Sequence, residues 1–319
     1  MTRRSAFTVA AGALATAILA PTALAQVDVP VPDTQEKPGR TRVWAGYEHM
    51  FNTDINNGGQ IQRDSMLLGI SHDFEISEDT SLITNVTYQL DSYDWSKGAK
   101  NGGKNNPPSA GFRWSEIHTP QLVALLDVKV SDHWSIIGAG LVRMSAETGA
   151  NLDDAVTYGG GIGFNWVAED KTLSLGLLAA VITQIEDDAT FAVLPLVKWK
   201  ISDSWRFDLW TRHMGAIGYG PEVVWAPSET TELALGAAYQ QRRFRLDTHK
   251  TVPNGVGKET TAPVYARFGI KPTEGLLIDL YGGVNVAGRI RTARKGGGKL
   301  RNADYDPTPM VGANLKYQF

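Results

Sequence analysis

The chain contains no cysteine, which excludes a disulfide framework, a thiolate metal site and a cysteine-borne lipid anchor. It has little net charge, −3 from 31 basic and 34 acidic residues, so no basic excess marks it for nucleic acid. After the first 25 residues there is no apolar run of the ~20 residues that a transmembrane helix needs. If the rest of the chain enters a membrane, it does so as a closed barrel, the other architecture that satisfies every backbone N–H and C=O in lipid. His49, His118, His213 and His249 are scattered without metal-ligand spacing, and neither a metal nor a cofactor is expected.

The chain opens with an export signal. Arg3 and Arg4 precede an apolar, alanine-rich run over 7–20, closed by Ala23, Leu24 and Ala25. That pattern predicts a signal peptide over 1–25, cleaved before Gln26. The run is too short and too poor in Leu, Ile and Val to span a ~30 Å hydrocarbon core. The arginine pair suggests a twin-arginine signal, but Phe7 lies one place too far along, so the general secretion route is expected. Residues 26–40 then form a short periplasmic segment and 41–319 the membrane domain.

A recurring turn organises that domain. It reads Ile76-Ser77-Glu78-Asp79-Thr80, Val130-Ser131-Asp132-His133-Trp134 and Ile201-Ser202-Asp203-Ser204-Trp205, with looser copies at Ala168-Glu169-Asp170-Lys171, Pro227-Ser228-Glu229-Thr230 and Pro272-Thr273-Glu274-Gly275. Short polar side chains bond their own backbone at such positions, and Pro presets φ. Between these turns lie longer polar segments at 54–62, 95–112, 147–154, 186–189, 246–260 and 292–307, with a shorter one at 215–220. Short turns at one end and long loops at the other are the asymmetry of outer-membrane barrels, whose short turns face the periplasm. Six inner turns and seven outer loops join fourteen strands with both termini periplasmic. The span 206–226 barely holds two strands, which keeps twelve open.

Alternation assigns the faces. In the last strand Val311, Ala313, Leu315, Tyr317 and Phe319 share one face, and Gly312, Asn314, Lys316 and Gln318 the other. Phe191, Val193, Val197, Trp199 and Ile201 oppose Lys198 and Lys200 in the same way. Trp134, Trp166, Trp199, Trp205 and Trp225 fall beside inner turns, as a periplasmic aromatic girdle requires, while Tyr47, Tyr88, Tyr158 and Tyr239 lie towards the opposite ends. Gly159-Gly160-Gly161-Ile162-Gly163 lacks the Lys-Ser/Thr of a phosphate loop and sits mid-strand, where glycine relieves crowding.

With these strands, turns and the final Leu315-Lys316-Tyr317-Gln318-Phe319, the mature chain resembles the outer-membrane β-barrel superfamily. The resemblance implies an all-β, up-and-down barrel in the bacterial outer membrane, in contact with lipid and lipopolysaccharide. It also implies that Tyr317 and Phe319 act as the signal read by the barrel-assembly machinery. More narrowly, Gly220-Pro221-Glu222-Val223, Pro227-Ser228 and Leu233 through Phe244-Arg245-Leu246-Asp247 are similar to an uncharacterised family of outer-membrane barrels, which implies fold and location but no substrate.

The inward charges are the functional material. Arg42, Lys129, Arg143, Arg242, Arg267, Lys271, Arg289 and Lys316 are expected to point inward against Glu48, Asp73, Asp127 and Asp279. The pore-lining candidates are Lys198, Lys200, Arg206, Asp208, Arg212, Glu222 and Glu232, where the basic surplus predicts a mild anion preference. No catalytic set assembles: Ser71-His72-Asp73 alternates faces, and His133-Trp134-Ser135 sits on an inner turn. The expected function is therefore a passive channel for small hydrophilic solutes. The alternatives are a non-conducting barrel for structure or surface contact and, more remotely, an outer-membrane hydrolase.

Overall fold

The computed structural model describes residues 39–56, 58–96, 112–209, 219–296 and 298–319. The expected signal peptide, most of the 26–40 segment and Arg212 lie outside them. The strands are β1 (Thr41–Asp54), β2 (Gln60–Ser77), β3 (Thr80–Ser96), β4 (Glu116–Lys129), β5 (Trp134–Met144), β6 (Ala146–Glu147), β7 (Val156–Val167), β8 (Leu173–Gln184) and β9 (Asp187–Lys200). They continue as β10 (Trp205–Asp208), β11 (Glu222–Ser228), β12 (Thr231–Ala237), β13 (Gln240–Arg245), β14 (Val256–Thr273), β15 (Leu276–Ala293), β16 (Lys299–Tyr305) and β17 (Thr308–Gln318).

Sequential strands pair antiparallel, and β17 returns to β1 from Arg42↔Gln318 to Met50↔Met310, which closes the sheet. Three wall strands are interrupted: β5 with β6 both pair β4, β12 with β13 both pair β14, and β16 with β17 both pair β15. The wall is therefore a closed fourteen-strand barrel rather than one of twelve. Pro307 lies in the last interruption, where a residue without an N–H leaves a gap in the ladder. The thin 206–226 span yields two strands, β10 of four residues and β11 of seven.

The inner turns form as their composition requires. Ser131 Oγ accepts the backbone N–H groups of His133 and Trp134, and Ser202 Oγ accepts that of Trp205. The outward face carries Met66, Leu68, Ile70, Val86, Ile136, Ile162, Val181, Leu235, Leu280 and Val311, all exposed. An apolar band on a closed barrel is what hydrocarbon requires. Trp134 is paired with Trp166 and Trp205 with Trp225 across the ladder, both near the inner turns, and Trp199 stands opposite Phe207. Val311, Leu315, Tyr317 and Phe319 face outward.

Three features depart from the sequence reading. The loops are shorter than expected, because 256–260 belongs to β14, 299–305 is β16 and Trp95 is in β3. Arg289 faces outward and pairs with Asp304 at 2.5 Å. Its face is reversed by a bulge: Val286 and Ala287 of β15 stand against a single residue of β14, between Thr261↔Gly288 and Pro263↔Asn285. One extra residue moves every later side chain to the other face. Matching irregularities occur beside it, at Phe51 and Asn52 of β1 and between β16 and β17, so the crease crosses adjacent strands.

The third departure concerns the interior, which carries an apolar wall beside its polar groups. Ile83, Leu125, Ile137, Leu178, Leu194 and Leu196 pack together on the lumen side of β3–β5, β8 and β9. Separately, the barrel narrows at its outer end. There β13 pairs in parallel with β6 at Arg245↔Ala146, while β6 pairs β4 at Ile117↔Glu147. Tyr305 bridges to Ile55 of the adjoining wall. The outer ring thus runs through β13, β14, β15, β16, β1, β2, β3, β4 and β6, bypassing β7–β12. A ring of about eight strands is just wide enough to be filled by its own side chains.

Candidate functional site

Within that ring the lumen is crossed by charge. Arg63 of β2 is fully buried, with Nη2 at 2.6 Å from Glu48 Oε1 of β1 and Nη1 at 2.6 Å from Glu259 Oε2 of β14. Tyr93 and Tyr305 donate to Glu259 at 2.7 and 2.9 Å. Arg242 of β13 stands 3.3 Å from Asp91 of β3 and 3.5 Å from Glu259. Asp91 also accepts from Ser65 Oγ at 2.5 Å and Gln89 Nε2 at 2.9 Å. Carboxylates buried this deeply are tolerable only when paired and hydrogen-bonded, as these are.

An aromatic layer lies against this cluster. Trp114 packs edge-on against Phe244 at 5.2 Å and Trp95 at 5.0 Å, with Phe112 beside it at 6.0 Å. Trp95 Nε1 donates to the Trp114 carbonyl at 2.7 Å. The outer connections are tied above: Glu147 accepts from Lys250 Nζ at 2.6 Å and from the N–H of Asp247 at 2.9 Å. Arg245 Nη2 meets Glu186 at 2.9 Å, and Lys295 meets Asp154 at 2.8 Å. The Gly296 N–H, aided by Arg245, holds the Glu186 carboxyl below its usual range, and the Lys295 ammonium does the same for Asp154.

The periplasmic half is roomier. A cavity of about 820 Å³ opens among the β9–β10, β11–β12 and β14–β15 turns, lined by Lys198, Lys200, Arg206, Asp208, Glu232 and Lys316 among others. Five of the seven sequence-singled pore residues therefore share one bay. They are largely paired there: Lys200 with Asp203 at 2.8 Å, Arg206 with Glu232 at 2.8 Å and Asp208 at 3.1 Å, and Lys271 with Glu232 at 2.7 Å. The bond from Lys200 keeps the Asp203 carboxyl below its usual range. Glu222 is buried deeper and meets Arg267 at 2.7 Å, which also reaches Asp279 at 2.7 Å.

Ser71 and Asp73 are buried towards the lumen, whereas His72 turns aside to Thr41 Oγ1 at 2.7 Å. His133 contacts the Val167 carbonyl on its inner turn. Arg63, Asp91 and Glu259 join the site beyond the residues that the sequence pattern marks. Glu259 was placed in a loop, and Arg63 sat at a loop's edge. Continuing the alternation of Leu67, Ser65 and Arg63 outward along β2 is the signal that finds it.

No family model matches the chain, and no curated relative matches it. Solved structures similar to it include an outer membrane channel from Pseudomonas putida F1, with 14% identity, a TM-score of 0.44 and coverage of 92% of this chain and 100% of that one. A deltaS2 mutant of the TodX monoaromatic hydrocarbon channel has 8% identity, a TM-score of 0.46 and coverage of 96% and 94%. The P. putida toluene transporter TodX has 10% identity, a TM-score of 0.41 and coverage of 96% and 93%. Closed wall, outward apolar band and turn asymmetry together give this chain the architecture of a fourteen-strand membrane-type β-barrel.

Proposed function

We propose that the barrel is a passive channel for small hydrophilic solutes, held closed in this conformation by the cluster of Arg63, Glu48, Glu259, Arg242 and Asp91. The observation that carries this reading is the composition of the constriction. Replacing a buried ion pair by apolar residues of similar volume is often neutral or stabilising, by about 1–4 kcal/mol. A permanent filling has that apolar solution, and the same chain uses it on the wall of Leu178 and Leu194. Paired charges differ in that water can take over each partner's role as they separate.

A mild anion preference is assigned to the basic bay, where six cationic side chains face five carboxylates. Single-channel recording in planar bilayers tests both parts. Wild-type protein should show discrete openings, and Lys198→Glu should move the reversal potential in a salt gradient towards cations. Unchanged selectivity with measurable current would remove Lys198 from the ion path. The second reading, a non-conducting structural or surface-contact barrel, is supported by the aromatic layer of Trp114 and Phe244 and gains if no protein conducts. The Ser, His and Asp side chains described above form no relay, and no enzymatic role is proposed.

A further inference from the structure

The periplasmic mouth has a second bay of opposite character. It is a cavity of about 600 Å³ between the β2–β3 turn, the β4–β5 turn and the end of β7. Seven carboxylates line it against two lysines, Lys129 and Lys171. Lys129 is already engaged by Asp132 at 3.4 Å. Asp73 of β2 and Asp127 of β4 stand on the lumen face with β3 between them, opposite Ile83 and Ser81 of that strand.

Asp73 is 8% exposed, and its Oδ1 is buried without a hydrogen-bond partner. Asp127 Oδ1 is buried without a partner at hydrogen-bond geometry too, with the Ser135 hydroxyl of β5 as its neighbour in the bay. Arg42 acts on Asp73 electrostatically from β1, but its Nε bonds Gln318 Oε1 at 3.3 Å. Both carboxylate oxygens are acceptors, and the single hydroxyl of Ser135 is the one orphaned donor that lines the bay with them. The bay is therefore short of N–H donors and of positive charge together, and a cleft of one sign concentrates counter-ions.

We infer that this bay binds an organic cation with several N–H donors, an alkyl diamine or triamine, anchored at Asp73 and Asp127. Geometry favours such a molecule over a metal ion. Strands two apart are separated by roughly 10 Å at the usual interstrand spacing, whereas calcium draws its oxygen ligands to about 2.3–2.6 Å. Among the described residues no three His, Cys, Asp or Glu side chains converge on a metal position. A flexible chain with an ammonium at each end spans the gap, and a cavity of this size accommodates it. The site is independent of whether the lumen conducts, since it opens directly to the periplasm-facing mouth.

The test is isothermal titration calorimetry of the purified, folded barrel with spermidine at physiological salt, with folding checked by heat-modifiable gel migration. Wild type should bind saturably. Asp73→Asn and Asp127→Asn, both near-isosteric, should each weaken binding about tenfold or more, while Glu229→Gln in the basic bay should leave it unchanged. Equal affinity in all four proteins would reduce the effect to general surface charge and overturn the site. Displacement of spermidine by an equal concentration of calcium would overturn the assignment to an organic cation. Absence of binding to folded wild type would overturn the inference outright.

Discussion

Arg242 on β13 and Asp91 on β3 meet at 3.3 Å across the inside of the barrel, although their strands share no ladder. Both side chains are buried, at 6% and 2% exposure, so the pair is screened little by solvent. Arg242→Ala leaves Asp91 and part of Glu259 uncompensated and should destabilise the barrel by about 3–5 kcal/mol. Urea unfolding followed by tryptophan fluorescence measures it. The double variant Arg242→Met with Asp91→Leu should recover much of that loss, because Asp91 is no longer left as a lone charge and Glu259 keeps Arg63. Equal destabilisation by single and double variants would show that the two side chains are not coupled.

Tyr305 of β16 lies over Gly288, its ladder partner on β15, so closely that an added Cβ would strike the ring. Gly288→Ala must displace Tyr305 from its bond to Glu259 and should cost about 1–3 kcal/mol by overpacking. Combined with Tyr305→Ala, the same substitution should become nearly neutral in the unfolding assay.

The outer rim should be sensitive to acid. The carboxyls of Glu186 and Asp154 are held below their usual ranges, the first by the Gly296 N–H and then Arg245, the second by Lys295. A carboxyl lowered on folding contributes its full stabilisation above the unfolded value, about 4.3 for Glu and 3.9 for Asp, and loses it as pH falls through the lower folded value. Amide exchange in the β15–β16 connection should therefore stay slow at neutral and mildly acidic pH and accelerate below about pH 4. Glu186→Gln should show accelerated exchange already at neutral pH. Exchange that is independent of pH, after correction for its intrinsic rate, would contradict these contacts.

Phe319 closes the wall from outside it. Its N–H donates to the Thr41 carbonyl at 2.9 Å, and its exposed ring meets Tyr317 edge-on at 4.9 Å. The backbone bond survives any side-chain change, so Phe319→Ala should leave barrel stability nearly intact. As part of the proposed assembly signal, the ring's loss should lower the outer-membrane fraction without lowering export to the periplasm. Normal outer-membrane levels would separate Phe319 from assembly.

What was legible in the sequence was what repeats. Ser131 and Ser202 recur in near-identical turns because each side chain caps its own backbone, and that local chemistry located both turns and, with the others, the strand number. The outward faces followed from period two. The constriction was not legible, because its closure is non-local: Arg245 pairs with Ala146 far along the chain, and neither neighbourhood announces the other. Arg289 was misplaced for a related reason. The bulge at Val286 and Ala287 leaves no composition signal, yet it reverses the face of the strand beyond it. Lys198, Lys200, Arg206, Asp208 and Glu232 were brought to one bay because they flank turns that the sequence had already placed at the same end.

In the proposed function the buried charge cluster is what closes the lumen. Planar-bilayer conductance of wild type beside Arg242→Ala, each confirmed as folded and inserted, tests it most directly. Wild type should show rare, brief openings, and Arg242→Ala longer-lived openings of the same or larger conductance. Silence from both proteins, or an identical permanently open level in both, would contradict it.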